Sequence, residues 1–223
     1  MEINILEEIC KVAYSFKATV YNSYELAKEM INVDGDFVEC GVAAGAQIAA
    51  MQLALIETNC VKNIYAFDSF EGIPMAGEFD TSQPGIGEIY HDKYAPLKER
   101  LVSSGITSHS IENVIHNFNE FKLPLNNINF IKGWFQDTLP DNKIDKISLL
   151  RLDGDLYEST FVCLQYLYPK VSIGGYVIID DYALEGCMKA VHDYFSVYDF
   201  FTDIPVFTEV KGGGGVVYFK KNK

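Results

Sequence analysis

Residues 147–157 read ISLLRLDGDLY, and residues 176–181 read YVIIDD. In each stretch a short apolar run ends at aspartates, and such runs are typical of buried parallel strands. The interval between the runs has room for one crossover helix, which predicts that the two strands are neighbours in one sheet. Their carboxyl ends would then bring Asp153, Asp180 and Asp181 to the edge at which open α/β sheets bind ligands.

These three aspartates predict a metal site. Three carboxylates that converge without a basic partner repel one another unless a hard cation lies between them. An aspartate at a strand end can also cap the following helix, and for any one of the three this simpler interpretation is equally good. For three at this spacing, a divalent metal site is the better interpretation.

Composition limits the class of protein. The chain has 223 residues, of which 48% are hydrophobic, and this suffices for one domain with a sizeable core. The net charge of −13 argues against nucleic-acid partners and against anionic membrane surfaces. No apolar run reaches membrane-spanning length, and the five cysteines have no C-x-x-C spacing. We therefore expect a soluble, cytoplasmic protein with reduced cysteines.

Helical and strand patterns alternate along the chain, which predicts a single α/β domain over residues 1–223. Residues 1–33 are expected to form two N-terminal helices with a break at residues 19–22. Strands are predicted at residues 36–40, 64–68, 129–132, 147–153 and 176–180. Helices are predicted from the glycine turn after the first strand to residue 57, and over residues 156–169 and 184–198. Residues 206–210 and 216–219 predict an antiparallel hairpin that closes a mostly parallel sheet.

Residues 71–110 form a long connection that is rich in glycine and proline and has weak periodicity. Connections of this length are usually functional lids or disordered segments. We favour a lid, because the segment leaves from the ligand-binding edge and its aromatic residues Phe79, Tyr90 and Tyr94 could cover a ligand.

The first strand runs into a glycine turn, residues 41–45, where the backbone can approach a ligand closely. The turn lacks the third glycine of G-x-G-x-x-G, which makes it a poorer match to a pyrophosphate cradle. Asp68 ends the next strand and is placed to accept hydrogen bonds from ribose hydroxyls. Together with the acidic cluster, these features match S-adenosylmethionine.

The stretches DFVECGV, YAFDSFEGIP, KGWFQDTLP, RLDGDLYEST and LYPKVSIGGYVIIDDY lie within residues 35–195 and resemble the macrocin O-methyltransferase family. The resemblance implies a Rossmann-like class I methyltransferase fold with a mostly parallel seven-stranded sheet and helices on both faces. It also implies transfer of a methyl group from S-adenosylmethionine to a sugar hydroxyl, with Mg²⁺ or another divalent cation bound by Asp153, Asp180 and Asp181. The implied cofactor-binding residues are Glu39, Cys40, Gly41, Val42, Asp68, Ser69, Phe70, Gly133, Trp134, Phe135 and Asp153.

Two regions depart from the family pattern. The glycine turn lacks the tryptophan and final glycine of G-V-W-x-G-G, and the lid segment also differs. Because the lid segment departs from the pattern, the histidine that assists catalysis in some relatives has no direct counterpart here. His91 is the nearest candidate and His109 is the alternative. The simpler interpretation of any one lid histidine is an exposed residue without a catalytic role. Asp153 is the best-placed carboxylate to remove the acceptor proton, because no lysine occurs at or beside Leu156.

The leading hypothesis is a metal-dependent O-methyltransferase for a sugar, in surface-glycan or secondary-metabolite biosynthesis. A catechol-like or phosphate-type oxygen is an alternative acceptor. An NAD(P)-dependent oxidoreductase is disfavoured by the missing glycine and by an acidic triad that hydride transfer does not need. A non-catalytic binding module is disfavoured because every presumed metal ligand is present.

The N-terminal helices carry a wide apolar face that must be buried against something. Its residues are Ile5, Leu6, Ile9, Val12 and Phe16. We predict a homo-oligomer in which these helices contribute to the assembly or to the lid. Packing on the chain's own sheet is the alternative.

Overall fold

The computed structural model describes residues 4–80, 94–198 and 204–223. Within these ranges seven strands form one sheet: β1 Asp36–Cys40, β2 Ile64–Asp68, β3 Ile128–Lys132, β4 Ile147–Leu152, β5 Val171–Ile179, β6 Thr208–Glu209 and β7 Val217–Lys220. Their order is β3-β2-β1-β4-β5-β7-β6. Strands β1 to β5 are parallel, and β7 is antiparallel to both of its neighbours. This confirms the predicted fold class.

The described ranges contain eight α-helices: α1 Ile5–Cys10, α2 Lys17–Glu29, α3 Ala46–Glu57, α4 Leu97–Arg100, α5 Ile111–Phe121, α6 Phe135–Thr138, α7 Tyr157–Leu167 and α8 Glu185–Asp193. Helices α2, α3 and α5 contribute to the core on one face of the sheet, and α7 and α8 to the core on the other. Helix α7 is the predicted crossover between β4 and β5. No described helix combines the length and apolar composition needed to cross a bilayer.

The break between the first two helices lies at residues 11–16, so the predicted break at residues 19–22 is wrong. Helix α2 runs through those residues, and the side chain of Val20 is fully buried. The hydroxyl of Thr19 donates to the carbonyl of Phe16 at 2.7 Å. The threonine that looks like a helix breaker in sequence thus satisfies its hydroxyl within the first turn of α2.

The apolar face of α1 packs within the chain. Leu6 and Ile9 are buried in the core together with residues of α2 and α3. The intrachain alternative accounts for Leu6 and Ile9 without a second copy of the protein, whereas Phe16 of the predicted face is 61% exposed. The homo-oligomer stays a prediction.

Strand β5 begins at Val171 rather than at the predicted Tyr176. Gly174 and Gly175 interrupt the apolar pattern inside the strand, and Gly174 adopts φ +86°. Strands β1 and β2 have the predicted bounds, because their apolar runs contain no such interruption.

The two described arms of the predicted lid, residues 71–80 and 94–110, bond to each other. The backbone N–H of Ile73 donates to the carbonyl of Ile106 at 3.1 Å, and that of Met75 donates to the carbonyl of Arg100 at 3.0 Å. Tyr90 and His91 lie outside the described residues, as does the rest of residues 81–93. The covering role of this segment stays a prediction.

Candidate active site

A cavity of about 190 Å³ lies at the carboxyl ends of β1, β2, β4 and β5, where the sequence predicts ligand binding. We distinguish two walls. The strand-end wall consists of residues that end or directly follow these strands: Glu39, Gly41, Val42, Asp68, Asp153, Asp155, Asp180 and Asp181. The loop wall comes from the α1–α2 connection and the two lid arms: Val12, Tyr14, Ser15, Ile73, Pro74 and Thr107.

Asp68 organises the glycine turn. Its Oδ2 accepts hydrogen bonds from the backbone N–H groups of Val42 at 2.6 Å and Ala43 at 3.1 Å. Its Oδ1 accepts from the N–H of Phe70 at 2.7 Å. The sequence did not suggest this role. A carboxylate has about four lone-pair sites, and the fourth site of Asp68 faces the Ser69 hydroxyl at 3.4 Å, so a ribose hydroxyl would take the place of Ser69 there.

A glycine is required at position 41 because the ends of β1 and β4 pack closely against each other. Gly41 adopts φ +89°, and a Cβ at this position would lie 1.7 Å from the carbonyl oxygen of Asp153. The strand ends are joined here by bonds from Gly41 N to Phe67 O at 2.9 Å and from Asp153 N to Cys40 O at 2.8 Å. The close approach predicted toward a ligand is therefore also a close approach between β1 and β4.

A buried ionic network underlies the carboxylates. Glu39 on β1 and Arg151 on β4 are register partners, and both are fully buried. Arg151 Nε donates to Glu39 Oε1 at 3.0 Å, while its Nη2 donates to Asp153 Oδ2 at 2.8 Å and Asp180 Oδ1 at 2.7 Å. The expectation that the aspartates converge without a basic partner is thus wrong: Arg151 is that partner.

One guanidinium does not balance the charge of this cluster. Burial raises the pKa of Glu39 to about 8, although Arg151 opposes the shift. Burial and then the charge of Asp180 raise the pKa of Asp153. Burial and then Asp155 raise the pKa of Asp181, and burial and then Asp153 raise the pKa of Asp155 to about 7. A cationic ligand would relieve this repulsion.

The residues present fit a divalent cation. Carboxylate oxygens of Asp153, Asp155 and Asp181 lie within 4.8 Å of one another, and oxygen is the ligand that hard cations prefer. Asp180 is not part of this close group and directs Oδ1 to Arg151. The sequence reasoning did not single out Asp155. Its backbone adopts φ +56° and its N–H donates to Asp181 Oδ2 at 2.8 Å, which joins the two strand ends.

The loop wall is joined by side chains. Gln47 Nε2 donates to Ser15 Oγ at 2.8 Å and Thr19 Oγ1 at 3.1 Å, which ties the α1–α2 connection to the start of α3. The ring of Tyr14 lies against that of His109, with centroids 4.8 Å apart. The sequence carries no local signal for either contact, because each joins segments distant along the chain.

A model of the macrocin O-methyltransferase (TylF) family matches residues 21–212. The chain belongs to this family. It is 37% identical over 82% of its length to the 8-demethyl-8-(2,3-dimethoxy-alpha-L-rhamnosyl)-tetracenomycin-C 4'-O-methyltransferase of Streptomyces olivaceus, covering 65% of that protein. It is 39% identical over 75% of its length to the demethyldecarbamoylnovobiocin O-methyltransferase of Streptomyces niveus, covering 61% of that protein. The chain thus spans less than two thirds of either relative.

A solved structure of another O-methyltransferase, NovP, resembles this macrocin O-methyltransferase family member closely. The TM-score is 0.77 at 34% identity, over 93% of this chain and 81% of that one. This likeness agrees with the predicted Rossmann-like class I methyltransferase fold.

Nine of the eleven cofactor-binding residues that the family resemblance implies line the cavity. They are Glu39, Gly41, Val42, Asp68, Ser69, Gly133, Trp134, Phe135 and Asp153. The other two side chains belong to the core. Cys40 is buried on the α7 and α8 face, and the ring of Phe70 packs against Phe130 at a centroid distance of 6.1 Å.

No histidine lines the cavity within the described part of the chain. His91 lies outside the described residues, so its catalytic assignment stays a prediction. His109 contacts Tyr14, and His192 Nε2 lies 2.9 Å from the hydroxyl of Tyr182. His192 is thus a packing residue.

Proposed function

We propose that this family member is an S-adenosylmethionine- and Mg²⁺-dependent O-methyltransferase. Its acceptor is a hydroxyl of a sugar on a glycosylated or nucleotide-linked small molecule, in surface-glycan or secondary-metabolite biosynthesis. One observation carries the proposal: a single cavity is lined by both the glycine turn with Asp68 and the acidic cluster of Asp153, Asp155 and Asp181. The rhamnosyl group in the name of the tetracenomycin relative supports the acceptor class.

The cofactor is proposed to lie along the strand-end wall. Asp68 orients the N–H groups of Val42 and Ala43, so that the turn is already formed before a ligand binds. Trp134 and Phe135 line the same cavity and offer aromatic surface for the adenine. The excess negative charge of the acidic cluster suits a cofactor whose reactive centre is a sulfonium cation.

The acceptor is proposed to bind beside the acidic cluster. The divalent cation is held by Asp153, Asp180 and Asp181, with Asp155 added because its carboxylate lies within the same group. Such a cation, when bound, lowers the pKa of an acceptor hydroxyl and orients it. Asp153, and His91 from the lid segment, are the proposed proton acceptors. Alignment of the two reactants and exclusion of water supply most of the acceleration.

The acidic composition supports a small-molecule acceptor rather than a nucleic acid or a membrane surface. We also propose a cytoplasmic location and a homo-oligomeric state. These two parts of the proposal rest on composition and family resemblance alone.

The test is transfer of a labelled methyl group from S-adenosylmethionine to a panel of nucleotide sugars, glycosylated aromatics and catechols. We expect transfer to a sugar hydroxyl, loss of transfer in EDTA, and recovery with Mg²⁺. Asp180→Ala should lower kcat by at least about 100-fold, the upper range for changes around a metal, while S-adenosylhomocysteine affinity stays within a few-fold. Asp141→Ala, at an exposed position before β4, is the control.

Three outcomes would contradict this function. Methyl transfer that is undiminished in EDTA would show that the reaction needs no metal. Binding of NADH in place of S-adenosylhomocysteine would favour an oxidoreductase. Transfer to catechols but to no sugar would change the acceptor class.

A further inference from the structure

The chain has two arginines, Arg100 and Arg151, and both are buried in ion pairs. Arg100 pairs with Glu158 in the first turns of α7, away from the strand-end wall. Arg151 instead contacts three acidic side chains that belong to three different strand ends. The three partners of Arg151 all line the cavity, which gives Arg151 a place in the site.

The contacts of Arg151 depend on the shape of a guanidinium. Nε points to Glu39 on the neighbouring strand, and the single nitrogen Nη2 bridges Asp153 and Asp180. A guanidinium presents its donors in a rigid plane, so fixing Nε also fixes the direction of Nη2. A lysine ammonium carries the same charge, but all its donors are on one nitrogen. It has no second nitrogen through which Glu39 could fix its direction.

The bridge determines how the two aspartates face the cavity. Asp153 gives Oδ2 to Arg151 and Asp180 gives Oδ1, so each carboxylate is held through one oxygen. The second oxygen of each side chain is not engaged by Arg151. A side chain held at one oxygen cannot rotate freely, which restricts where the second oxygen lies.

The network also reaches the cofactor side of the cavity. Glu39 lines the cavity, and its Oε2 is buried without a hydrogen-bond partner among the described residues. Arg151 Nη1 is likewise buried without a hydrogen-bond partner among the described residues. Among the described residues the network thus retains an unused acceptor on a residue that lines the cavity, and an unused donor.

We propose that Arg151 is a positioning residue that holds Asp153 and Asp180 in the arrangement that binds the divalent cation, and that Glu39 fixes Arg151 for this purpose. Arg151 touches neither reactant and acts through the carboxylates. The inference rests on the metal-dependent function proposed above and assigns a role that the proposed metal ligands do not cover.

The first test compares Arg151→Lys with Arg100→Lys. Mg²⁺ binding to each S-adenosylhomocysteine complex is measured by calorimetry, with thermal unfolding as the check on folding. We expect Arg151→Lys to weaken Mg²⁺ binding at least about 10-fold, as for other groups that orient metal ligands. Arg100→Lys should leave Mg²⁺ affinity within about twofold, although it too loses a buried guanidinium. Arg151→Lys that is folded and binds Mg²⁺ as tightly as the native protein would overturn the proposal.

A second measurement uses the native protein and does not depend on the folding of a variant. With two arginines in the chain, the side-chain Nε–H region of a nitrogen–proton NMR spectrum has two signals, and Arg100→Lys assigns them. Mg²⁺ should shift the Arg151 signal and leave the Arg100 signal in place. An unmoved Arg151 signal at saturating Mg²⁺ overturns the positioning role while the metal site stands. A native protein that does not bind Mg²⁺ overturns the metal-dependent function, and this inference with it.

Discussion

The two walls of the cavity are built by different means. In the strand-end wall, neighbouring strands are held in register by backbone hydrogen bonds, and the buried Arg151 network joins their ends. In the loop wall, segments distant in sequence meet through side chains such as Tyr14 with His109. Glu39 is fully buried in the first wall, whereas Tyr14 is 68% exposed in the second.

This difference assigns different tasks to the two walls. Groups that must keep a fixed geometry belong on rigid elements, and the acidic cluster and the glycine turn are placed there. Contacts that involve few buried atoms open locally at low free-energy cost. The loop wall is therefore suited to admit and release ligands. Substitutions that force the packed strand ends apart should destabilise the whole fold, whereas those in the loop wall should have local effects.

The largest effect should come from Gly41→Ala, with Gly105→Ala in the lid segment as the matched control. Both glycines have left-handed backbones, at φ +89° and φ +80°. A Cβ at Gly41 would lie 1.7 Å from the carbonyl oxygen of Asp153, whereas a Cβ at Gly105 meets nothing within 4 Å. By chemical denaturation we expect Gly41→Ala to lower the free energy of unfolding by more than about 4 kcal/mol, and Gly105→Ala by about 1–2 kcal/mol.

Equal losses in the two variants would mean that the left-handed backbone, and not the contact with Asp153, sets the cost. The strand-end wall would then be no more tightly packed than the lid segment, and the contrast between the walls would fail.

Most of the strand-end wall could be predicted from sequence because its signals are local. The apolar runs of β1 and β2 end at a glycine turn and at Asp68, so both their bounds and their ligand-binding edge could be inferred. Parallel strands then bring Asp153 and Asp181 together by geometry alone. The family resemblance supplied the full set of eleven cofactor-binding residues, of which nine line the cavity.

The charge balance of the strand-end wall could not be predicted from local sequence signals. Arg151 lies two residues before Asp153, but Glu39 lies 112 residues before Arg151. Only the pairing of β1 with β4 sets these side chains against each other. Asp155 was missed because its contribution depends on a left-handed backbone, which aspartate adopts only occasionally.

The loop wall was predicted least well. The helix break was placed at residues 19–22, because β-branched and polar residues there weaken the helical pattern. The bond between Gln47 and Ser15 spans 32 residues, and it holds the true break at residues 11–16 against the start of α3. Such side-chain contacts leave no periodic pattern in the sequence.

A smaller effect is expected for Asp80, which attaches the lid segment to α7. Asp80 is fully buried; its Oδ1 accepts from the N–H of Tyr157 at 2.8 Å and its Oδ2 from the N–H of Gly77 at 3.0 Å. Asp80→Asn keeps the size of the side chain but turns an amide NH₂ toward one of these donors. The free energy of unfolding should fall by about 1–3 kcal/mol, measured by denaturation at pH 7. Glu78→Gln, at an exposed neighbouring position, is the control.

The cost of Asp80→Asn should depend on pH. Burial raises the pKa of Asp80 from 3.8 to about 6, so between these values the folded protein binds a proton that the unfolded chain has released. Proton binding to the folded state stabilises it at low pH, and this contribution is lost as the pH rises through the folded pKa. The stability advantage of the native protein over Asp80→Asn should therefore shrink between pH 4 and about pH 6. An advantage that grows over this interval would contradict the sign of the shift.

The smallest effect should come from the ring pair of Tyr14 and His109, which joins two segments of the loop wall. The ring planes meet at 64°, an edge-to-face contact of a kind that contributes about 0.5–1.5 kcal/mol. Tyr14→Ala and His109→Ala should each release S-adenosylhomocysteine a few-fold faster in stopped-flow measurements, with the double variant no faster than either single one. Phe16→Ala is the control, because this exposed ring of the same connection lies against Gly214 instead. Additive effects of the two single changes would show that the rings do not act as one contact, and the loop wall would then be held by Gln47 and the backbone alone.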